Sequence, residues 1–221
     1  MRPSHILWDF NGTVLDDVEP CINSINELLT THGLKPLKDR AQYQSVFGFP
    51  VKDYYERIGF DFTKTSFEVL AVEWVNLYYK YNTPLMLCPR IVEALEAVKK
   101  AKIPQLILTA SKTEMVEGQL KELGIGSYFD GIIGLDNIHA SGKSEIALEW
   151  KYRVKPARAV MIGDTEHDAE VADCIGADCL LVCCGHMSRE RLEKIKPVFD
   201  NPYEAAIEIL KDKITALYSL T

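Results

Sequence analysis

Three aspartates follow apolar segments of the sequence, and their positions suit them for chemistry. Asp9 follows the first apolar run, and Asp164 and Asp168 follow the run Ala159–Gly163. A carboxylate can attack phosphorus to give an aspartyl phosphate, and Gly12, three residues on, allows the backbone to approach a ligand closely. Two further carboxylates beside it would form the oxygen-rich site that Mg²⁺ prefers. The aspartates therefore predict a nucleophile and a magnesium site in one place.

Thr109 and Lys143 add groups suited to binding a phosphate. Thr109 lies near the end of the apolar run Gln105–Ala110, and its hydroxyl, with the free amides of a following helix, suits an anion. Ser111 and Glu114 have the spacing of a capping box, so we expect Ser111 to cap that helix. Lys143 opens another helix, where an ammonium would neutralise the nucleophile and the transferring phosphoryl group.

The elements that must position these residues alternate along the chain. Short apolar runs without alternation predict buried parallel strands at His5–Phe10, Gln105–Ala110, Gly131–Gly134, Ala159–Gly163 and Cys179–Cys183. Helical patterns lie between or after them at Arg90–Lys102, Lys112–Leu123, Ser144–Tyr152, Glu166–Ile175 and Pro202–Leu217. This alternation predicts an α/β fold with a Rossmann-like doubly wound parallel sheet, in which ligands bind beyond the carboxyl ends of the strands.

One stretch interrupts this alternation. Residues 17–87 show helical periodicity, with apolar residues at helix spacing from Ile22 to Leu29 and again from Phe67 to Tyr78, but no buried strand. We therefore expect a core formed by residues 1–16 and 88–221 and an inserted all-helical cap formed by residues 17–87. Hinges are expected where the two parts join.

The combined order of motifs resembles the haloacid dehalogenase (HAD) superfamily of hydrolases, and most closely its phosphoglycolate-phosphatase-like members. The resemblance rests on the nucleophilic aspartate, the threonine, the lysine and the Gly-Asp-x-x-x-Asp pair in this order, and on the run Cys88–Leu95. It implies a phosphatase that cleaves a small phosphorylated metabolite through an aspartyl phosphate. The implied catalytic residues are Asp9, Asn11, Thr109 and Lys143; the implied substrate contacts are Gly12, Thr13, Thr109, Ala110 and Lys143; the implied Mg²⁺ site comprises Asp9, Asn11 (through its carbonyl), Asp164 and Asp168.

Asn11 departs from the pattern of that family, which has a second aspartate as acid and base at this position. An amide cannot exchange a proton, and losing a positioned acid or base typically costs about 10²–10⁴ in rate. The sequence therefore leaves several readings open: a slow or specialised phosphatase, with His139, His167 or Asp16 as substitute acids; an enzyme for well-activated esters; a catalytically impaired phosphometabolite-binding protein; a phosphonatase, dehalogenase or mutase; or an engineered mutation.

The composition and charge of the chain argue against two classes of binding partner, nucleic acids and membranes. The net charge of −7 argues against nucleic-acid binding, and no apolar run reaches the ~20 residues of a membrane helix. Because the N-terminus shows no signal-peptide pattern, we expect a cytoplasmic protein. We expect it to be a monomer or a homodimer. Phe47–Pro50, Lys52 and Arg57 are candidate specificity residues, and His186 and Arg189 are expected in a surface loop.

Overall fold

A six-stranded parallel sheet forms the centre of the molecule. The computed structural model describes residues 2–135 and 142–218, with the backbone alone for 212–218. The sheet order is β3-β2-β1-β4-β5-β6, and every pair is parallel. The strands are β1 (His5–Trp8), β2 (Gln105–Leu108), β3 (Gly131–Ile133), β4 (Ala159–Gly163), β5 (Asp178–Val182) and β6 (Val198–Phe199). The predicted doubly wound α/β fold is confirmed, with the strand order reversing at β1.

The central strands are apolar because both faces of the sheet are covered. Ile6, Leu7 and Trp8 of β1 are all fully buried. Ile6 and Trp8 belong to the hydrophobic cluster on one face, whereas Leu7 belongs to the cluster on the other. Each such side chain contributes about 1.5–3 kcal/mol through burial. Alternate residues of β1 thus join the two helical layers to the sheet.

Helices cover the two faces of the sheet. Helices α5 (Ile91–Lys100), α6 (Thr113–Glu122) and α10 (Pro202–Tyr218) contribute to the cluster that contains Trp8. Helices α7 (Lys143–Val154), α8 (Glu166–Ile175) and the short α9 (Arg189–Leu192) contribute to the cluster that contains Leu7. No helix in the described part of the chain is long and apolar enough to span a membrane.

The chain between β1 and α5 is helical. It forms α1 (Val18–Thr31), α2 (Arg40–Val46), α3 (Val51–Arg57) and α4 (Phe67–Tyr81). These helices share a third hydrophobic cluster, and residues 17–87, all described, add no strand to the sheet. The two segments that connect these helices to the rest of the chain lie side by side: Asp16 N donates to Met86 O at 2.8 Å, and Cys88 N donates to Val14 O at 3.0 Å.

Short elements account for most differences from the predicted secondary structure. The two-residue strand β6 and the seven-residue helices α2 and α3 were not predicted as separate elements. They are too short to produce a recognisable hydrophobic period, and tertiary contacts stabilise them instead. Strand β4 and helix α8 have the predicted bounds.

Candidate active site

The predicted site residues meet at the carboxyl ends of the central strands. Asp9 follows β1, Thr109 follows β2, and Asp164 follows β4. The backbone ladder continues into these positions, because Asp9 N donates to Ile162 O at 2.8 Å and Thr109 N donates to Ile133 O at 3.0 Å. The sheet therefore holds the backbone of Asp9 and Thr109.

Lys143, the first residue of α7, joins two of the aspartates. Its ammonium makes an ion pair with Asp9 and another with Asp168 Oδ1 at 2.6 Å, and its side chain is only 3% exposed. Burial lowers the pKa of Lys143, but the charges of Asp168 and Asp9 outweigh it and raise the pKa above its ordinary value. Lys143 is therefore a buried cation that contacts the predicted nucleophile.

Asp168 is held firmly by the start of α8. Its Oδ2 accepts hydrogen bonds from the amides of Asp164 (3.1 Å) and Thr165 (3.0 Å) and from the Thr165 hydroxyl (2.8 Å). Burial raises the pKa of Asp168, but Lys143 and these bonds hold it below its usual range. A Cβ at Gly163 would lie 2.3 Å from Asp168 Cγ, so the glycine of this motif makes room for the carboxylate.

Asp164 lies fully buried between two glycine turns. Its Oδ1 accepts from the Thr13 hydroxyl at 3.2 Å, and its Oδ2 accepts from the His186 amide at 2.6 Å. A Cβ on Gly12, whose φ is +75°, would lie 2.4 Å from Asp164 Oδ2, and one on Gly185 would lie 2.2 Å away. Burial raises the pKa of Asp164 to about 6. Only glycines allow both loops to approach this carboxylate.

The three aspartates suit a divalent cation. One carboxylate oxygen from each of Asp9, Asp164 and Asp168 lies within 4.8 Å of the others, and all three residues are buried. Burial and the charges of Asp168 and Asp164 raise the pKa of Asp9 well above its usual value, although Lys143 opposes this. When all three carboxylates are ionised, the single ammonium of Lys143 leaves two negative charges that a bound cation would offset. Because the oxygens of Asp168 already have several donors, Asp9 and Asp164 fit better as direct ligands.

Asn11 is held at both ends of its amide. Nδ2 donates to Asp17 Oδ2 at 2.8 Å and to the Tyr78 hydroxyl at 3.1 Å, while Oδ1 accepts from the Ser111 hydroxyl at 3.2 Å. The predicted capping role of Ser111 is wrong, because α6 begins at Thr113 and its N-cap residue is Lys112. The Ser111 hydroxyl bonds Asn11 instead.

Asp17 and His186 form a buried pair beside Asn11. Asp17 is 1% exposed, and its Oδ1 accepts from Gly12 N at 3.0 Å and lies 3.1 Å from His186 Nε2. Burial raises the pKa of Asp17, but His186, Asn11 and Tyr78 lower it below its ordinary value. Burial lowers the pKa of His186, but Asp17 and Asp164 raise it to about 9. The imidazolium and the carboxylate therefore form an ion pair.

His186 corrects one prediction from the sequence. It was expected in a surface loop, but it is 5% exposed, and its Nδ1 lies 2.9 Å from the Tyr43 hydroxyl of α2. The loop turns inward because Gly185 allows its backbone against Asp164. Its place after β5 is the signal that was missed, since the same rule located Asp9, Thr109 and Asp164. Arg189 is partly buried and pairs with Glu193 at 3.0 Å.

A cavity of about 320 Å³ opens above these residues. Asp9, Asn11, Thr109, Ala110, Lys143, Asp164 and Asp168 line it, whereas Gly12 and Thr13 are not part of its lining. The opposite wall comes from α1–α4 and from the loop between α2 and α3, which contributes Phe47 and Phe49 as predicted. Lys52 instead lies 5.3 Å from the Phe62 ring centre, and Arg57 Nε donates to Val46 O at 3.1 Å.

The three candidate acids have different positions. His167 lines the cavity, with its ring centre 4.8 Å from that of Phe49. Asp16 is not among the cavity residues, although its neighbour Asp17 is. His139 lies outside the described residues. His167 is therefore the one of these three that the described structure brings to the cavity.

The fold and site together define an α/β protein with an aspartate, a lysine and a buried acidic cluster at the switch point of its sheet. A sequence model described as haloacid dehalogenase-like hydrolase matches residues 6–182, so the chain belongs to this family. The predicted resemblance is confirmed, and the chain is an enzyme of the hydrolase class.

Several relatives of this chain are named as phosphatases. Over 212 residues the chain is 24% identical to a phosphoglycolate phosphatase of Pseudomonas fluorescens, covering 90% of this chain and 77% of the relative. Over 171 residues it is 27% identical to the pyrophosphatase PpaX of Bacillus velezensis, covering 76% and 77%. A haloacid dehalogenase-like family hydrolase of Streptococcus pneumoniae shares the fold, with a TM-score of 0.73, 23% identity and coverage of 93% and 97%.

Proposed function

We propose that this phosphatase-type hydrolase cleaves the phosphate monoester of a small metabolite by transferring the phosphoryl group to Asp9. The observation that carries the proposal is the buried group of Asp9, Asp164 and Asp168 with one lysine between two of them. Structural ion pairs alone would not need three carboxylates for one cation. Thr109, 2% exposed at the end of β2, adds a hydroxyl for a phosphoryl oxygen.

Asp9 and Asp164 would hold Mg²⁺, with the carbonyl of Asn11 as a further ligand. When bound, the ion would neutralise the two excess charges and draw electron density from the phosphoryl oxygens. Asp168 would support the site through Lys143 and the amides that it accepts. A closed cavity would then exclude bulk water from the reacting groups.

Two displacements account for the reaction. An oxygen of Asp9 attacks phosphorus, the bond between phosphorus and the ester oxygen breaks, and the departing oxygen takes a proton to become an alcohol. Water then attacks the phosphorus of the aspartyl phosphate, loses a proton, and releases inorganic phosphate and free Asp9. Lys143 is placed to offset the negative charge that develops on the phosphoryl oxygens.

Asn11 would make this enzyme slow or specialised. Neither end of its amide can give or accept a proton in the two steps, and both ends are occupied by Asp17, Tyr78 and Ser111. Esters whose leaving oxygen departs without protonation would be favoured in the first step. Dephosphorylation of Asp9 would still be slow.

We also propose that residues 17–87 act as a cap over a core of residues 1–16 and 88–221. Their own hydrophobic cluster supports this division, as do the paired connections at Leu15 and Leu87. Contacts such as Gln44 Nε2 to Gly185 O at 2.7 Å hold the helices against the core. Opening at the connections would admit substrate, and closure would complete the cavity.

Steady-state hydrolysis tests the proposed function. Phosphate release from small monoesters should require added Mg²⁺, stop in excess EDTA and be lost in Asp9→Asn. Asp53→Asn removes an exposed carboxylate in the first turn of α3 and serves as the matched control, with activity unchanged. Full activity in EDTA, or in Asp9→Asn, would overturn the proposal. Binding of phosphate esters without any turnover would instead favour the impaired binding protein.

A further inference from the structure

The wall of the cavity that faces the aspartates is strongly aromatic. Eight of the described lining residues are Phe, Tyr or Trp, and all eight lie between residues 43 and 79. Trp74 stacks on Tyr78 with ring centres 5.1 Å apart and planes 22° apart, which gives part of the wall a flat face. Ile25, Val51 and Val75 extend the same apolar wall. A wall of this kind favours an apolar ligand surface.

The described residues that line the cavity include no unpaired cation for a second anionic group. Among the described lining residues, Lys143 is the only lysine or arginine, and both Asp9 and Asp168 already neutralise it. His186 is paired with Asp17. His167 packs against the ring of Phe49. A carboxylate or second phosphate of the substrate would therefore be buried without a counter-ion from this part of the chain, which is costly.

Taken with the proposed function, on which this step rests, these features identify a substrate class. We propose that the substrate is the phosphate monoester of an uncharged alcohol that carries an aromatic ring or a similarly flat apolar group. The cavity of about 320 Å³ is at the low end of the range of about 300–1,000 Å³ for small-molecule sites, so one ring fits this size. Compounds such as phosphoglycolate carry a second charge that this wall does not match.

Three esters of primary alcohols test the class. The probes are 2-phenylethyl phosphate, ethyl phosphate and phosphoglycolate, with Mg²⁺ and the full chain. Burying the phenyl ring should raise kcat/KM about 10- to 100-fold over ethyl phosphate. Phosphoglycolate should react no faster than ethyl phosphate, because its carboxylate gains no partner in the cavity.

Trp74→Leu tests the aromatic wall directly. The substitution should reduce the preference for 2-phenylethyl phosphate over ethyl phosphate at least several-fold, mainly through KM. Val72→Leu alters a 64% exposed position on the same helix and should leave the preference unchanged. The preference is a ratio of two kcat/KM values measured on the same variant, so partial unfolding of the sample lowers both values and leaves the ratio unchanged. The three-ester comparison on the unaltered chain does not depend on the Trp74 variant.

The outcomes separate this inference from the proposed function. Equal or faster hydrolysis of phosphoglycolate than of 2-phenylethyl phosphate, in Mg²⁺-dependent reactions that need Asp9, would overturn the substrate class and leave the proposed function intact. An unchanged preference in Trp74→Leu would also overturn it. No hydrolysis of any ester, together with no labelling of Asp9 by acetyl phosphate, would overturn both.

Discussion

Replacing Asn11 by aspartate should make the stability of the protein depend on pH. Asn11 Nδ2 donates to Asp17 Oδ2 at 2.8 Å, and Asp17 is 1% exposed. In Asn11→Asp a second carboxyl group takes the place of that donor. Two ionised carboxylates at this distance repel each other strongly, so one of them must hold a proton in the folded state.

The size of the effect follows from the distance. Carboxylates whose nearest oxygens are 2.8 Å apart have charge centres about 4 Å apart, and two unit charges at that separation repel by about 4 kcal/mol at an effective dielectric constant of 20, which corresponds to about 3 pH units. His186 beside Asp17 makes this an upper limit. The shared proton raises the folded-state pKa above the unfolded value of about 3.9, so stability is lost as pH rises from about 4 to about 7. The free energy of unfolding that Asn11→Asp loses relative to wild type should be up to about 2–3 kcal/mol larger at pH 8 than at pH 5.

Urea unfolding in EDTA at pH 5 and pH 8 measures this difference. The control is the double variant Asn11→Asp with Asp17→Asn, which exchanges the two side chains. The amide at position 17 can then donate to the carboxylate at position 11, and its carbonyl oxygen can accept from Gly12 and His186. The double variant holds one carboxyl group and should lose most of the extra pH dependence. The reasoning would be refuted by an equal stability loss at both pH values in the single variant, or by a double variant with the same pH dependence as the single one.

The same substitution tests whether Asn11 limits turnover. A carboxyl group that keeps its proton near neutral pH can donate it to a leaving alcohol, so Asn11→Asp should accelerate hydrolysis of alkyl esters by up to about 10²–10⁴-fold. Accumulation of phosphoenzyme in the wild type would show that hydrolysis of the aspartyl phosphate limits turnover. Wild-type turnover of an alkyl ester on the order of 10 s⁻¹ would contradict a slow enzyme.

The remaining predictions concern the histidine and the cation site. Because the pKa of His186 is raised to about 9, its ion pair with Asp17 stabilises the fold fully below about pH 6.5, and this stabilisation is lost as the pH rises through about 9. Urea unfolding in EDTA should therefore show that the free energy of unfolding falls by up to about 3 kcal/mol over this range. His186→Gln should remove that fall. Asp164→Ala should abolish turnover and the rise in melting temperature caused by Mg²⁺, whereas Asp173→Ala, on the exposed side of α8, should keep both. Retention of the Mg²⁺ effect in Asp164→Ala would contradict its role as a ligand.

The sequence was sufficient for five of the six strands and for the site residues that follow β1, β2 and β4. Strands that are covered on both faces, such as Ile6–Trp8, form continuous apolar runs and can be recognised from the local sequence alone. The geometry of parallel strands then brings together residues that are far apart in sequence. Asp9, Thr109 and Asp164 were predicted for this reason.

The rest of the site depends on contacts between separate segments. Asp17 is at the start of α1 and Tyr78 near the end of α4, and nothing in their local sequence indicates that both bond Asn11. His186 resembles an ordinary loop residue until Gly185 is seen against Asp164. The aromatic wall likewise combines α2, α3, α4 and the loop between α2 and α3, whose mutual packing no periodicity predicts. Such features require the tertiary structure.

Trapping the phosphorylated enzyme tests the central claim most directly. The protein is mixed with Mg²⁺ and acetyl phosphate, quenched in acid and digested, and the phosphorylated residue is located by mass spectrometry, with Asp9→Asn as the control. Phosphate on Asp9, absent from the control and slow to disappear in the wild type because Asn11 cannot activate water, is the predicted result. Phosphate on a serine or histidine, or steady turnover of esters by Asp9→Asn, would contradict the account.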